Sequence, residues 1–282
     1  MEKCVFPVAG YGTRFLPFTK TTPKELLPIL NKPLIHYAVE EALDADIKDL
    51  ILVDNQYKKT INDYFKPNQF LENVLHASSK ESELSNLNEL ISKCNFSSIE
   101  QKEMLGLGHA ILMAESNIGS KEAFSVILPD DFCINSSESV LKQMKTLHNF
   151  FPDFAIVAVE EVPSERLGSY GVVDIEPIIF NEKGFEKRVF RVKDMIEKPT
   201  LNQAPSNLAI IGRYILPPGI FDVIRLVKPD KTKEIQITNA LRILANQGKV
   251  IAFKFRGTRY DCGNIAGFVR ATLDMAKKEK II

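Results

Sequence analysis

At 282 residues, with 36 basic side chains against 36 acidic ones, the chain lacks the strongly basic balance of a bulk nucleic-acid binder. Hydrophobic residues at 45% and charged residues at 26% are ordinary for a globular protein with a sizeable core, and no stretch has the apolar length needed to span a bilayer. Four cysteines (Cys4, Cys94, Cys133, Cys262) show no C-x-x-C pairing, which argues against a disulfide framework or a zinc site and for buried reduced thiols. The chain enters a strand almost at once with no signal segment, so a cytoplasmic protein is expected.

The first strand, Val5-Phe6-Pro7-Val8, runs into Ala9-Gly10-Tyr11-Gly12-Thr13-Arg14-Phe15-Leu16-Pro17 and on to Pro23-Lys24-Glu25. Two glycines permit positive φ and close approach to a ligand. Consecutive peptide N–H groups in such a turn cradle phosphate, and Arg14 and Lys24 add fixed positive charge. The loop is not a Walker A loop, because Thr13-Arg14 stands where Gly-Lys-Ser/Thr is needed. Nor does it complete the dinucleotide fingerprint, because Phe15 replaces the third glycine. Taken alone, it reads either as a phosphate loop or as a tight turn with solvated basic residues.

A helix is expected from Pro33 to Leu43, with Pro33 in its first turn. Leu50–Val53 follows as a strand covered on both faces, which implies a right-handed parallel crossover. Residues 57–95 read as a helical insertion on the rim of the sheet. Its apolar face belongs either to a solvated cap or to a subunit contact. Ser98–Gln101 is a short, weakly marked strand. Gly106-Leu107-Gly108-His109-Ala110 opens another helix, where His109 is either an acid–base group or a turn residue. Ser125–Leu128 is a second buried strand. Asn135 with Glu138 resembles a capping box for the helix through Leu147. Further strands are expected at Phe154–Val159, Tyr170–Ile175, Val189–Val192, Ala209–Ile215 and Val250–Phe253. Helices are expected around residues 220–227, 235–245 and 265–276. The pattern is α/β, a single mixed-sheet unit with inserted segments.

Asp130 follows a buried strand at its carboxyl end, where ligands gather in open α/β sheets. Asp261 ends another strand much later. Together they could hold magnesium, which accepts a few carboxylates and leaves room for phosphate oxygens and water. Capping a turn is the competing reading for each, and Asp131 competes with Asp130. Glu197-Lys198-Pro199 offers a carboxylate for sugar hydroxyls and an ammonium for phosphate, or else a surface pair before a turn. There is no Gly-x-Ser-x-Gly and no activated cysteine to single out. Any chemistry would rest on positioning and charge neutralisation.

Taken in order, these motifs resemble the bacterial UTP–glucose-1-phosphate uridylyltransferases within the sugar-nucleotide nucleotidyltransferases. Further carriers are Ser206-Asn207-Leu208-Ala209-Ile210, Glu234-Ile235-Gln236-Ile237-Thr238 and Asp261-Cys262-Gly263-Asn264. The resemblance implies a Rossmann-like three-layer nucleotidyltransferase fold with a mixed, mostly parallel central sheet. It implies one domain over 1–282, with the 57–95 insertion, a sugar-binding part at 160–262 and a C-terminal helix at 263–282. It implies Mg²⁺ and the conversion of UTP and glucose 1-phosphate to UDP-glucose and pyrophosphate. Carried over residue by residue, Ala9, Gly10, Gly12, Thr13, Gln101 and Gly106 would bind the nucleotide. Arg14, Lys24 and Lys198 would be catalytic. Gly171, Glu197 and Asn207 would meet the sugar, and Asp130 and Asp261 the metal. A homodimer or homotetramer is implied, with no nucleic-acid or membrane partner. The nearest rivals are a thymidylyl- or adenylyltransferase and a catalytically silent nucleotide-sugar sensor.

Overall fold

Apolar runs too short for helices become strands, and their alternating side chains bind helices to both faces of one sheet. The computed structural model describes residues 1–119, 122–135 and 137–282. Its strands are β1 (Lys3–Pro7), β2 (Pro28–Ile29), β3 (Lys32–Pro33), β4 (Asp49–Asp54), β5 (Asn95–Glu100), β6 (Phe124–Ile127) and β7 (Asp131–Ile134). They continue as β8 (Ala155–Glu161), β9 (Gly171–Pro177), β10 (Val189–Glu197), β11 (Leu208–Leu216), β12 (Val250–Lys254) and β13 (Thr258–Asp261). Nine of them form the central sheet in the order β5-β4-β1-β6-β11-β8-β12-β10-β9. The half from β5 to β6 is parallel, as the crossover reading requires. β11 then runs antiparallel between β6 and β8, and β10 runs antiparallel between β12 and β9. The sheet is therefore mixed.

The three layers follow from the pleat. On β1, Val5 faces one core while Cys4 and Phe6 face the other. On β4, Ile51 and Val53 side with Val5, and Leu50 and Leu52 with Phe6. Helices Gly106–Met113, Ile220–Leu226 and Ile237–Asn246 cover the first face through Ile111, Ile224 and Leu241. Helices Leu34–Asp44 and Val140–His148 cover the second through Val39 and Met144. A third, smaller core ties the first loop to the end of the chain. Here Phe15 and Leu27 pack with Phe132, Ala271 and Met275, and the Phe15 ring meets Phe268 edge-on at 6.0 Å. The phenylalanine that replaces a fingerprint glycine thus anchors the loop.

Several local expectations are corrected. The helix before β8 is capped by Ser139, whose side chain accepts from Lys142 N, and not by Asn135. Chain direction favours serine, because β7 continues through Ile134 and delays the helix to Val140. Pro33 sits just before the helix and pairs with Pro28 in a two-stranded turn. β5 is a six-residue edge strand, and Gln101 lies just beyond it. The strand expected to end at Asp261 is β13, and it pairs with β7, a strand and a pairing with no counterpart in the sequence reading. Within 57–95, helix Ser82–Ser92 sends Leu90 into the core, whereas Phe70 on helix Gln69–Ala77 is 80% exposed. Among the described residues no helix is long and apolar enough to cross a membrane.

Candidate active site

The first loop leaves β1 where Val8 N donates to Val53 O at 2.8 Å, and Asn55 Nδ2 donates to the Ala9 carbonyl. Of the two loop glycines only Gly12 uses the positive φ that glycine permits, at 66°; Gly10 does not. At Gly12 a Cβ would stand 3.2 Å from both Lys24 Cβ and Thr19 Cγ2. The glycine therefore lets Lys24 pack under the loop. Lys24 Nζ reaches across and donates to Asp130 Oδ2 at 2.5 Å. Burial works against both charges, but each outweighs that penalty for the other. The ammonium is held above its ordinary value and the Asp130 carboxyl below the usual carboxylate range.

Asp130 and Asp261 meet because β7 pairs with β13 in a register that sets Asp261 opposite Asp131. Cys262 N donates to Asp130 O at 2.7 Å and closes the arrangement. Asp130 Oδ2 and Asp261 Oδ1 each lie 3.0 Å from the place a Cβ on Gly263 would take. Glycine at that position leaves the two carboxylates facing one small space. No group of three or more His, Cys, Asp or Glu side chains forms a metal cluster among the described residues. A two-carboxylate set suits a hard cation that keeps water and takes phosphate oxygens, and does not suit zinc.

Asp131, the rival of Asp130, is already engaged. Its Oδ2 accepts from Gly212 N at 2.9 Å, and Oδ1 accepts from Arg259. A Cβ at Gly212 would stand 2.6 Å from that Oδ2, so this strand position needs glycine. Arg259 also donates to Glu160 at 2.7 Å and to the Tyr170 hydroxyl at 3.2 Å. Tyr170 in turn donates to Asp261 Oδ2 at 2.8 Å. Burial pushes the Asp131 carboxyl up, and Arg259 pulls against it.

Two cavities join at Asp130. One, of about 280 Å³, is lined by Ala9, Gly10, Lys24, Gln101, Gly106 and Asp130 among others. The second, of about 510 Å³, takes in Arg14, Asp130, Gly171, Glu197, Lys198 and Asp261. Leu107, Leu128 and Gln236 line both. Glu197 Oε2 accepts from Thr238 Oγ1 at 2.6 Å, and Gly171 is closed in by the same pair. Lys198, at φ 47°, has a side chain 53% exposed and its Nζ 3.7 Å from Glu197 Oε1. Arg14 Nη1 lies 3.5 Å from the Gly263 carbonyl. Gly12, Thr13 and Asn207 fall outside both linings; Asn207 is exposed at the start of β11. A larger cleft of about 790 Å³ opens between helix Lys59–Tyr64 and the β4–β5 edge. None of the site residues expected from sequence lines it.

Beneath the first cavity lies a buried pair absent from the sequence reading. Lys58 Nζ donates to Glu25 Oε2 at 2.7 Å, while Glu25 Oε1 has no hydrogen-bond partner among the described residues. Burial pushes the Glu25 carboxyl up and the Lys58 ammonium down. Arg259 and Tyr170 were also missed. Arg259 carries a usable signal, since it stands two residues before Asp261 on one strand and so shares its face.

A family described as nucleotidyl transferase matches residues 5–278, and the chain belongs to that family. A Pseudomonas aeruginosa protein named UTP–glucose-1-phosphate uridylyltransferase is 50% identical over 273 residues, covering 96% of this chain and 95% of its own. A crystal structure of UDP-glucose pyrophosphorylase complexed with UDP-glucose is 48% identical, with a TM-score of 0.87 and 99% of both chains covered. A UTP-bound UGPase from Acinetobacter baumannii is 35% identical, with a TM-score of 0.88, covering 99% of this chain and 94% of that one. Within the family, the chain groups with the UTP–glucose-1-phosphate uridylyltransferases.

Proposed function

We infer that the protein transfers the uridylyl group of UTP to glucose 1-phosphate, giving UDP-glucose and pyrophosphate. The observation that carries this reading is the meeting of two cavities at Asp130, one beside the glycine loop and one beside Glu197 and Lys198. Two polyanionic substrates need adjoining sites with cations in each, and Lys24 lines the first cavity while Arg14 and Lys198 line the second. The reading assigns the base to Gln101 and Gly106, and the phosphates to the loop residues Ala9, Gly10, Gly12 and Thr13. It assigns the sugar to Gly171, Glu197 and Asn207, with Asn207 the outlying member.

The sugar phosphate is already dianionic near neutral pH, its second pKa being about 6. Its oxygen therefore needs no general base. That oxygen forms a bond to the α-phosphorus as the bridging bond to the β-phosphoryl group breaks, and pyrophosphate leaves. Lys198 holds the attacking phosphate in line, which lowers the entropic part of the barrier. Arg14 and Lys24 stabilise the negative charge that builds on the departing side. Asp130 and Asp261 would hold a divalent cation, magnesium in our reading, which neutralises phosphate oxygens when bound. Glu197 keeps Oε1 for sugar hydroxyls, since Oε2 is engaged by Thr238.

The test is a nucleotide panel of UTP, dTTP and ATP with glucose 1-phosphate and Mg²⁺, read by pyrophosphate release. UTP is expected to be preferred; equal or faster turnover of dTTP or ATP would overturn the reading. Replacing Lys198 with alanine is expected to raise KM for glucose 1-phosphate about 10- to 100-fold, the worth of a charge-assisted contact. KM for UTP should stay within about twofold. Unchanged glucose 1-phosphate kinetics would remove Lys198 from the site. The reading also carries a cytoplasmic place of action and a homodimer or homotetramer. The uncovered Phe70, Leu71 and Val74 on one helix, and Ile265, Val269 and Leu273 on another, are candidates for subunit contacts.

A further inference from the structure

Arg166 lies on the short helix Ser164–Ser169, and its half-exposed side chain lines the second cavity. The reaction described above makes no use of it. Its Nη2 donates to the Tyr170 hydroxyl at 2.7 Å and to Asp261 Oδ2 at 3.3 Å. Its guanidinium sits over the Tyr170 ring, 5.8 Å from the centroid. Tyr170 donates its own proton to the same Asp261 oxygen at 2.8 Å. The two Asp261 oxygens therefore have different surroundings. Oδ2 is turned to Tyr170 and Arg166, while Oδ1 shares with Asp130 Oδ2 the small space beside Gly263. Lys24 Nζ is 2.5 Å from Asp130 Oδ2, and Arg14 Nη1 is 3.6 Å from the place a Cβ on Gly263 would take. With Arg166 on Asp261, two carboxylates are met by three cationic side chains. An arginine keeps its proton in a folded protein, so Arg166 contributes a fixed charge to this balance.

We propose that Arg166 is a positioning residue that acts through Asp261: its guanidinium offsets that carboxylate in the nucleotide-free protein, so that the acidic pair takes up a divalent cation only together with nucleotide phosphate. This rests on the reading of Asp130 and Asp261 as the cation's ligands. A divalent ion entering the pair alone meets Asp261 with a positive charge already on the carboxylate's other oxygen. Like charges this close repel more strongly in a part-buried site than in water. Lys24 and Arg14 add to the repulsion. A nucleoside triphosphate reverses the sign, because its phosphates outweigh the single surplus positive charge. The cation then enters and leaves with the phosphates it neutralises. Of the three cationic side chains, Arg166 alone bonds Asp261 among the described residues. It is also the one that can be changed without touching the groups assigned to the transition state.

The test titrates Mn²⁺, a paramagnetic stand-in for Mg²⁺, into the nucleotide-free protein and reads the free ion by electron paramagnetic resonance. Arg166→Gln is expected to tighten Mn²⁺ binding at least about threefold, the scale of one charge removed from a part-exposed site. A gain in affinity cannot come from unfolding, so the readout does not depend on how much stability the variant keeps. Arg166→Lys retains the charge and should stay within about twofold of the parent, which a role in packing alone would not produce. With UTP bound and no glucose 1-phosphate present, the parent and Arg166→Gln should agree within about twofold. Mn²⁺ binding that is unchanged or weaker in Arg166→Gln would overturn the proposal. So would an equal gain in Arg166→Lys, or a gap that persists undiminished with UTP. Asp261→Asn, placed in the Arg166→Gln protein, separates the two layers of the argument. If it leaves Mn²⁺ binding unchanged, the reading of Asp261 as a cation ligand fails and takes the proposal with it. If it weakens binding while Arg166→Gln alone matches the parent, only the role of Arg166 fails.

Discussion

Replacing Lys24 with methionine will lower kcat about 100- to 1,000-fold, the loss seen when one preorganised group aimed at developing charge is removed. The side chain keeps its length and packing beside Gly12 but loses the cation. If Lys24 acts, as proposed, on charge that grows in the transition state, KM for UTP should move less than kcat. The change has a second effect on Asp130. Its carboxyl is held low by Lys24 against burial. Without the ammonium, burial prevails and the carboxyl rises. The residual activity should therefore be lost at a higher pH than that of the parent as the solution is acidified. Steady-state kinetics from neutral pH downward would measure both effects, with circular dichroism to show that the fold is kept. A kcat within about threefold of the parent would exclude Lys24 from the transition state.

Replacing Arg213 with methionine is expected to cost about 3–5 kcal/mol of stability, the loss typical of one partner taken from a buried ion pair. Arg213 is 2% exposed in the middle of β11. Its Nη2 donates to Glu41 Oε2 at 2.6 Å and its Nε to Oε1 at 3.3 Å. Its Nη1 reaches the Leu128 carbonyl at 3.2 Å and also the Asp131 carbonyl. Methionine would strand the Glu41 carboxylate in the core and free the turn that carries Asp130. Urea unfolding followed at equilibrium would give the difference. The double change Glu41→Leu with Arg213→Met should recover part of it, since neither charge is then buried alone. A single-variant loss under about 1 kcal/mol would mean that water or a shifted side chain satisfies Glu41.

The sheet was legible where burial leaves a plain signature. Leu50–Val53 is a continuous apolar run and Ser125–Leu128 carries only one polar residue, and both regions became strands covered by helices on each face. Elements that rely on a partner distant in sequence were not legible. β7 is too short and too mixed to announce itself, and although a strand ending at Asp261 is expected, nothing local shows that it pairs with β7. Arg213 offered a hint, a charge in an otherwise apolar run, but its partner Glu41 sits on a helix far upstream. Glu25 stands at the end of the Pro23-Lys24-Glu25 stretch, and nothing local shows that Lys58 will cover it. The candidate site divides in the same way. Gly10, Gln101, Asp130, Lys198 and Asp261 converge on the two cavities, whereas Asn207 and Thr13 stand apart from them. Motif order locates a loop, but which of its side chains turn inward depends on backbone geometry. At Gly12 that geometry is a left-handed turn; at Gly10 it is not.

The β7–β13 ribbon has a consequence for the order in which the newly made chain matures. The glycine loop, Lys24, Asp130 and nearly all of the central sheet emerge from the ribosome before β13 exists. Contacts between such distant segments form late, because the intervening chain must first be closed into a loop. Until β13 docks, Asp130 has no second carboxylate opposite it, and Arg259 cannot reach Asp131. A nascent chain can thus assemble most of the cavity beside the glycine loop while remaining unable to form the acidic pair. Ribosome-stalled chains that end before β13 should accordingly fold their sheet and yet show no magnesium-dependent turnover, so that competence arrives as one of the last events of synthesis.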